Sequence, residues 1–317
     1  MPLTVGGQAV IEGVMLRSPN AVAVAVRKAD GTIKSKVEQI KQPSQRVHVL
    51  KWPFFRGIAT LWDSLSLGIK CLNYSAQEAL HDTSEGDEKK GTFWPFVLSM
   101  LAALGMGLVL FFILPHVFTE LLGSKYPSLE SSGYLFSLAD GGFRILIFLL
   151  YIVGISLMPD IRRVFQYHGA EHRVVHAYES GREVTVESAR DFGVLHRRCG
   201  TSFLLIMLVV VILLFSLVPQ EADPISKAAT RLKFLPLVLV LAAGISYELL
   251  RLSAKAHNSV LVRAITAPGL MLQRLVTRQP SDEQVEVAIA ALHSVLGVEQ
   301  KLREERMNKA QEEALSG

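Results

Sequence analysis

The stretch FVLSMLAALGMGLVLFFIL, residues 96–114, carries no charged side chain and sets the fold class. An α-helix of about 20 apolar residues spans a hydrocarbon core, where only internally hydrogen-bonded backbone is stable. Three more blocks of this kind follow, at residues 143–158, 203–218 and 234–250. Each is about 16–19 residues long, and flanking Tyr, Trp and Arg extend it to the headgroup level. A single block of this kind can be a buried helix of a soluble protein. Four in one chain predict a mainly α, polytopic membrane protein with about four transmembrane helices.

Composition agrees with this reading. Half of the 317 residues are apolar and only 20% are charged, and mean hydropathy is +0.32. The formal net charge is a modest +4. Its arginines gather beside the apolar blocks, which suits anionic lipid and argues against specific nucleic-acid binding. Cys71 and Cys199 lie far apart in sequence, so a reducing compartment is expected and a disulfide scaffold is not. The amino terminus lacks the basic and apolar regions of a cleavable signal peptide.

Basic residues orient the spans. Between the first two blocks, residues 115–142 hold Lys125 as their only basic residue. Between the second and third lie Arg162, Arg163, Arg173, Arg182, Arg190, Arg197 and Arg198. Cytoplasmic loops are the Lys/Arg-rich ones, so this second loop is expected inside, and with four spans both termini join it. Lys89 and Lys90, then Arg251, Lys255 and Arg263, agree.

The apolar blocks divide the chain. Residues 1–50 read as a small β-rich cytoplasmic unit, with alternating valines at Val22, Val24 and Val26 and a turn at Asp30-Gly31. Residues 51–92 read as an amphipathic helix and a charged linker. Phe54, Ile58, Leu61, Leu65, Ile69 and Leu72 recur at helical spacing, a stripe suited equally to the membrane interface and to the β unit. Residues 93–158 hold transmembrane helices one and two, 159–201 a histidine- and arginine-rich cytoplasmic loop, and 202–251 helices three and four. Residues 252–317 form a cytoplasmic helical tail. There Ser281 and Gln284 have capping-box spacing ahead of Val285, Ile289, Leu292 and Leu296.

Chemistry concentrates in Tyr167-His168-Gly169-Ala170-Glu171-His172-Arg173-Val174-Val175-His176. On a helix, His168, His172 and His176 share one face, with Glu171 beside them. Imidazoles one turn apart clasp a divalent ion such as zinc, and a neighbouring Glu serves as general base. His-x-x-Glu-His is also the spacing of the inverzincin proteases. Along a straight helix His168 and His176 stand roughly 12 Å apart, so one tetrahedral ion cannot take all three. A further ligand must come from elsewhere. His196, Cys199 and above all Glu248 are the candidates, with Glu12 and His257 behind them. For Glu248 the competing role is a salt bridge to Arg251 or to a loop arginine, and for Cys199 it is a small buried thiol. For the histidines as a set it is an interfacial helix paired with carboxylates and headgroups. Gly6-Gly7-Gln8 copies a tripeptide used in peptide release on the ribosome, but three residues are too few to carry a role. Gly141-Gly142 reads as a turn before the second span.

Five stretches resemble a known family: GGQAVIEGVM at 6–15, YHGAEH at 167–172, RCGTSF at 198–203, GISYE at 244–248 and PGLMLQR at 268–274. They are similar to the YqhQ-like bacterial multi-pass membrane proteins, a domain family of unknown function labelled a predicted metal-dependent enzyme. The resemblance spans nearly the whole chain and implies a location in the bacterial cytoplasmic membrane.

The resulting expectation is a metal-dependent hydrolase at the cytoplasmic membrane face. His168 and His172 hold the ion, Glu171 activates water, and Glu248 or His196 completes the coordination. The substrate is a lipid or a membrane protein. The alternative is a non-enzymatic assembly or scaffold factor docking on lipid, translocation machinery or the ribosome. A transporter ranks third, because charged residues within the spans are few.

Overall fold

The computed structural model describes residues 3–40, 52, 54–80, 93–196, 199–219, 223–255 and 260–316. The linker read over residues 81–91, and Lys89, Lys90, Arg197, Arg198 and His257, lie outside them.

Four strands, β1 (Gly6–Val10), β2 (Gly13–Arg17), β3 (Ala21–Arg27) and β4 (Ile33–Gln39), form an antiparallel sheet in the order β1-β2-β3-β4. The Asp30-Gly31 turn joins β3 to β4. Gly31 has φ +84°, and Asp30 accepts the Thr32 amide at 2.8 Å. Then come α1 (Phe55–Leu80), α2 (Phe93–Leu108), a single wide turn at Val109–Ile113, and α3 (Leu114–Gly123). Short α4 (Pro127–Ser131) precedes α5 (Gly133–Ser156), α6 (Pro159–Glu179) and α7 (Val186–Arg190). Last are α8 (Gly200–Phe215), α9 (Pro224–Lys255), α10 (Val260–Val276) and α11 (Asp282–Ser316).

The central strands β2 and β3 are buried on both faces, and β3 explains how. In Ala21-Val22-Ala23-Val24-Ala25-Val26 the alternation is small against large rather than polar against apolar. The alanine face packs, with Val14 and Leu16, against Tyr167, Ala170 and Val174 of α6 and Val285, Ala288, Leu292 and Val295 of α11. Small residues there let two helices approach the same face closely. The valine face packs with Val10 and Met15 on Leu67, Cys71 and Tyr74 of α1. The front unit therefore shares its core with α6 and with the tail.

Ser281 and Gln284 cap α11 reciprocally, at 2.9 and 3.4 Å. Further along α11, Glu299 accepts hydrogen bonds from Ser18 Oγ at 2.6 Å and from the Asn20 amide at 2.8 Å, tying the tail to the β2–β3 turn.

The amphipathic stripe of α1 serves two surfaces. Leu67, Cys71 and Tyr74 face the sheet, while Phe55, Trp62, Leu65, Ile69 and Leu72 stay exposed, Trp62 to 72%.

Among the described residues, three stretches are helical, long and apolar enough to cross a membrane: Val97–Gly123, Gly133–Ser156 and Ile225–Leu252. The block expected as the third span, residues 203–218, forms the shorter helix Gly200–Phe215, 16 residues or about 24 Å, against a hydrocarbon core of about 30 Å. The first span extends beyond its block to Gly123, the second begins earlier, at Gly133, and the last begins at Ile225. Pro115 does not end the first span, because the wide turn before it leaves that position without need of a donor. Gly141-Gly142 is no turn either. The helix runs straight through it, and the missing Gly141 side chain makes room for Ile212 of α8.

The longer spans enclose charges that the block boundaries had excluded, among them Asp140, Lys227 and Arg231, beside Arg144, which the second block already held. Asp140 and Arg144 on α5 and Lys227 and Arg231 on α9 are all nearly fully buried. Asp140 Oδ2 lies 2.9 Å from both Arg144 Nη2 and Arg231 Nη1, and Lys227 Nζ is 2.7 Å from Glu120 of α3. The reading that the spans hold few charged residues is corrected accordingly.

Candidate metal centre

Helix α6 starts at Pro159, whose fixed φ suits a first helical position, and it presents its histidines one per turn. The segment between α7 and α8 crosses that face. Gln273 of α10, fully buried, holds it in place: its Oε1 accepts the His196 amide at 3.0 Å and its Nε2 donates to the His196 carbonyl at 2.9 Å.

Each histidine on α6 spends one ring nitrogen on a backbone carbonyl. His168 Nδ1 donates to Val276 O at 2.9 Å, His172 Nδ1 to Val194 O at 2.5 Å, and His176 Nε2 to Leu195 O at 3.0 Å. A carbonyl only accepts, so the tautomer is set and the opposite nitrogen keeps its lone pair. Metal-binding imidazoles are oriented in the same way.

The donors fall into two groups. His168, His172 and Cys199 form the first, and His176, Glu179 and His196 the second; within each, ligand atoms lie within 4.8 Å of one another. His168 Nε2 stands 3.3 Å from Cys199 Sγ. His196 Nε2 stands 3.4 Å from Glu179 Oε2.

Glu171 projects beside the first group, 5% exposed. It accepts the Gly7 amide from the edge strand β1, and its Oε2 has no hydrogen-bond partner. Burial pushes its carboxyl up to about 7, against the lowering pull of His168 and of the Gly7 amide. A cavity of about 170 Å³ opens here, lined by Gly6, Gly7, Glu171, His172, His196 and Cys199 among others.

A model of a family described as a protein of unknown function, DUF1385, matches residues 52–298. The chain belongs to this family. The uncharacterized protein YqhQ of Bacillus subtilis (strain 168) is 37% identical over 310 residues, covering 94% of this chain and 94% of its own length. No solved structure matches. The DUF1385 span contains every donor of both groups and begins after the sheet, so Gly6 and Gly7 of the cavity wall lie outside it.

Two expected donors are placed elsewhere. Glu248 is ion-paired with Arg56 and accepts the Phe54 amide at 3.2 Å, so it ties α9 to the start of α1 and belongs to neither group. Its role as outside ligand is corrected to that of a helix tie. Among the described residues the ion-pair partner is Arg56, which Gly57 packing on Tyr247 and Gly244 on Phe54 bring close. Glu12 is taken by Arg163 and by the Tyr167 hydroxyl. Sequence reasoning missed Glu179, which its spacing three residues after His176 could have revealed. It also missed the roles of Gly7 and Gln273, although both stand in stretches quoted for the family resemblance.

Proposed function

We propose that this chain is a metal-dependent hydrolase of the bacterial cytoplasmic membrane, with its site at the inner face. One observation carries the reading: His168, His172 and Cys199 bring their ligand atoms together, and His172 and Cys199 line a cavity that Glu171 also lines, with an unpartnered carboxylate oxygen. Two imidazoles and a thiolate leave one tetrahedral position open, the pattern of catalytic rather than structural zinc sites. An ion held there supplies Lewis-acid polarisation. Glu171 takes and returns the proton of the attacking water, and the Gly7 amide fixes its orientation.

The fold itself supports four crossings. The sheet packs on α6 and on α11, so the chain lies on one side of the membrane before α2, after α5 and after α9. If α5 and α9 each cross, α8 must carry the chain outward between them. Flanked by α5, α9 and α10, a short helix is shielded from much of the mismatch. The exposed stripe of α1, Trp62 included, then lies along the headgroups. The arginine-rich segment marks this side as cytoplasmic. Lys227 and Arg231, at the far end, are neutralised by Glu120 and Asp140.

Between lipid and membrane protein as substrate, the sheet favours protein. β1 is an edge strand, and Gly6-Gly7 borders the cavity without side chains, so an extended peptide can lie against it beside the Gly7 amide that Glu171 holds.

Metal analysis of the detergent-purified protein tests the proposal. Wild type is expected to hold one more ion per chain than the His168→Ala, His172→Ala double variant. Equal metal content in the two retires the hydrolase. Glu171→Gln is expected to keep the ion while turnover of a membrane-protein substrate falls about 10²–10⁴-fold; unchanged turnover removes Glu171 from its role.

A further inference from the structure

His176, Glu179 and His196 are not used by the site just proposed, yet they are built with the same care. His176 stacks on Phe192 with an interplanar angle of 3°, and its Nε2 is committed to the Leu195 carbonyl. His196 is 7% exposed, and its backbone is clamped on both sides by Gln273. Its ring lies 4.4 Å from that of His176, centre to centre, and its Nε2 faces Glu179 at 3.4 Å. A histidine–carboxylate hydrogen bond needs only two of these groups. The third, His176, also brings a ring nitrogen within 4.8 Å of the others, and its ring is held in place by the Nε2 hydrogen bond to the Leu195 carbonyl, as ligand imidazoles are held by backbone.

The two groups cannot share one ion. His168 and His176 are two turns apart, roughly 12 Å along the axis. The segment crossing α6 contributes one donor to each group, Cys199 to the first and His196 to the second. We propose that His176, Glu179 and His196 form a second divalent-ion site, beside the Cys199 site and chemically distinct from it. Two imidazoles and a carboxylate are harder ligands than a set containing thiolate. This site accepts iron(II), manganese(II) or cobalt(II) as well as zinc, whereas the thiolate biases its neighbour toward zinc. The inference stands independently of the hydrolase reading.

Cobalt(II) alone is the probe, added to full-length protein that has been purified in detergent and stripped with chelator. Two ions per chain are expected at saturation, with a thiolate-to-cobalt absorption band arising from only one of them. Glu179→Gln should lower the count to one and leave the band intact. Cys199→Ser should lose the band and leave the Glu179-dependent ion. His176→Ala repeats the first result, and if that variant fails to fold, Glu179→Gln, which preserves size and a hydrogen bond to His196, decides alone. Saturation at one ion that Glu179→Gln does not remove overturns the second site. A single ion removed by Glu179→Gln, with no band in wild type, upholds it and overturns the hydrolase site instead. No bound cobalt overturns both.

Discussion

Asp140→Leu is expected to lower stability by roughly 3–5 kcal/mol, the scale on which breaking a buried ion pair leaves charge uncompensated. Asp140 is 2% exposed and lies 2.9 Å from a nitrogen of each of two guanidiniums, Arg144 and Arg231, both as deeply enclosed. Besides a long hydrogen bond from Arg231 to Ser137 Oγ, at 3.5 Å, they face the rings of Phe136 and Phe215, which offer only weak cation–π attraction. Removing the carboxylate leaves two positive charges facing each other inside the bundle. Arg231→Leu should cost less, since Arg144 still balances Asp140. Replacing all three by apolar residues should recover much of the loss. Thermal unfolding in detergent measures the series. An Asp140→Leu midpoint equal to wild type would show that the triad constrains nothing. The triad lies about 24 Å along α5 from Ser156, so its loss is read in stability and not in the donor geometry of α6.

Gly169→Ala is the second large effect, and it strikes the metal centre directly. A Cβ at Gly169 would stand 2.0 Å from the Arg278 carbonyl oxygen, which is backbone and cannot swing aside. The same segment donates from the Arg278 amide to Phe165 O at 2.9 Å and supplies Val276 O to His168. One added methyl therefore pushes the end of α10 off α6 and takes the orienting acceptor away from His168. A loss of about 1–3 kcal/mol is expected from overpacking, together with loss of the ion assigned to His168, His172 and Cys199. Gly154→Ala is the control. Nothing lies within 4 Å of a Cβ there, so the change should leave metal content alone and, by helix propensity, stabilise by up to about 1 kcal/mol. Wild-type metal content in Gly169→Ala would sink the account of how His168 is oriented.

What the sequence determined by itself is what local contrast encodes. Apolar blocks mark helices whose backbone has no other partner, the Ser281 to Gln284 spacing marks a helix start, and alternation marks β3. The spacing of His168, His172 and His176 likewise put them on one helix face. The tertiary structure alone decided where the spans end, because Asp140 and Lys227 look like loop residues until Arg231 and Glu120 are brought to meet them. It alone divided the donors, giving Cys199 to one group and His196 to another, and it sent Glu248 to Arg56. The reason is that periodicity reports which side of an element is solvent, lipid or core. Which turn meets which donor depends on close approaches such as Gly169 on Arg278 and Gly244 on Phe54, made between residues far apart in the chain.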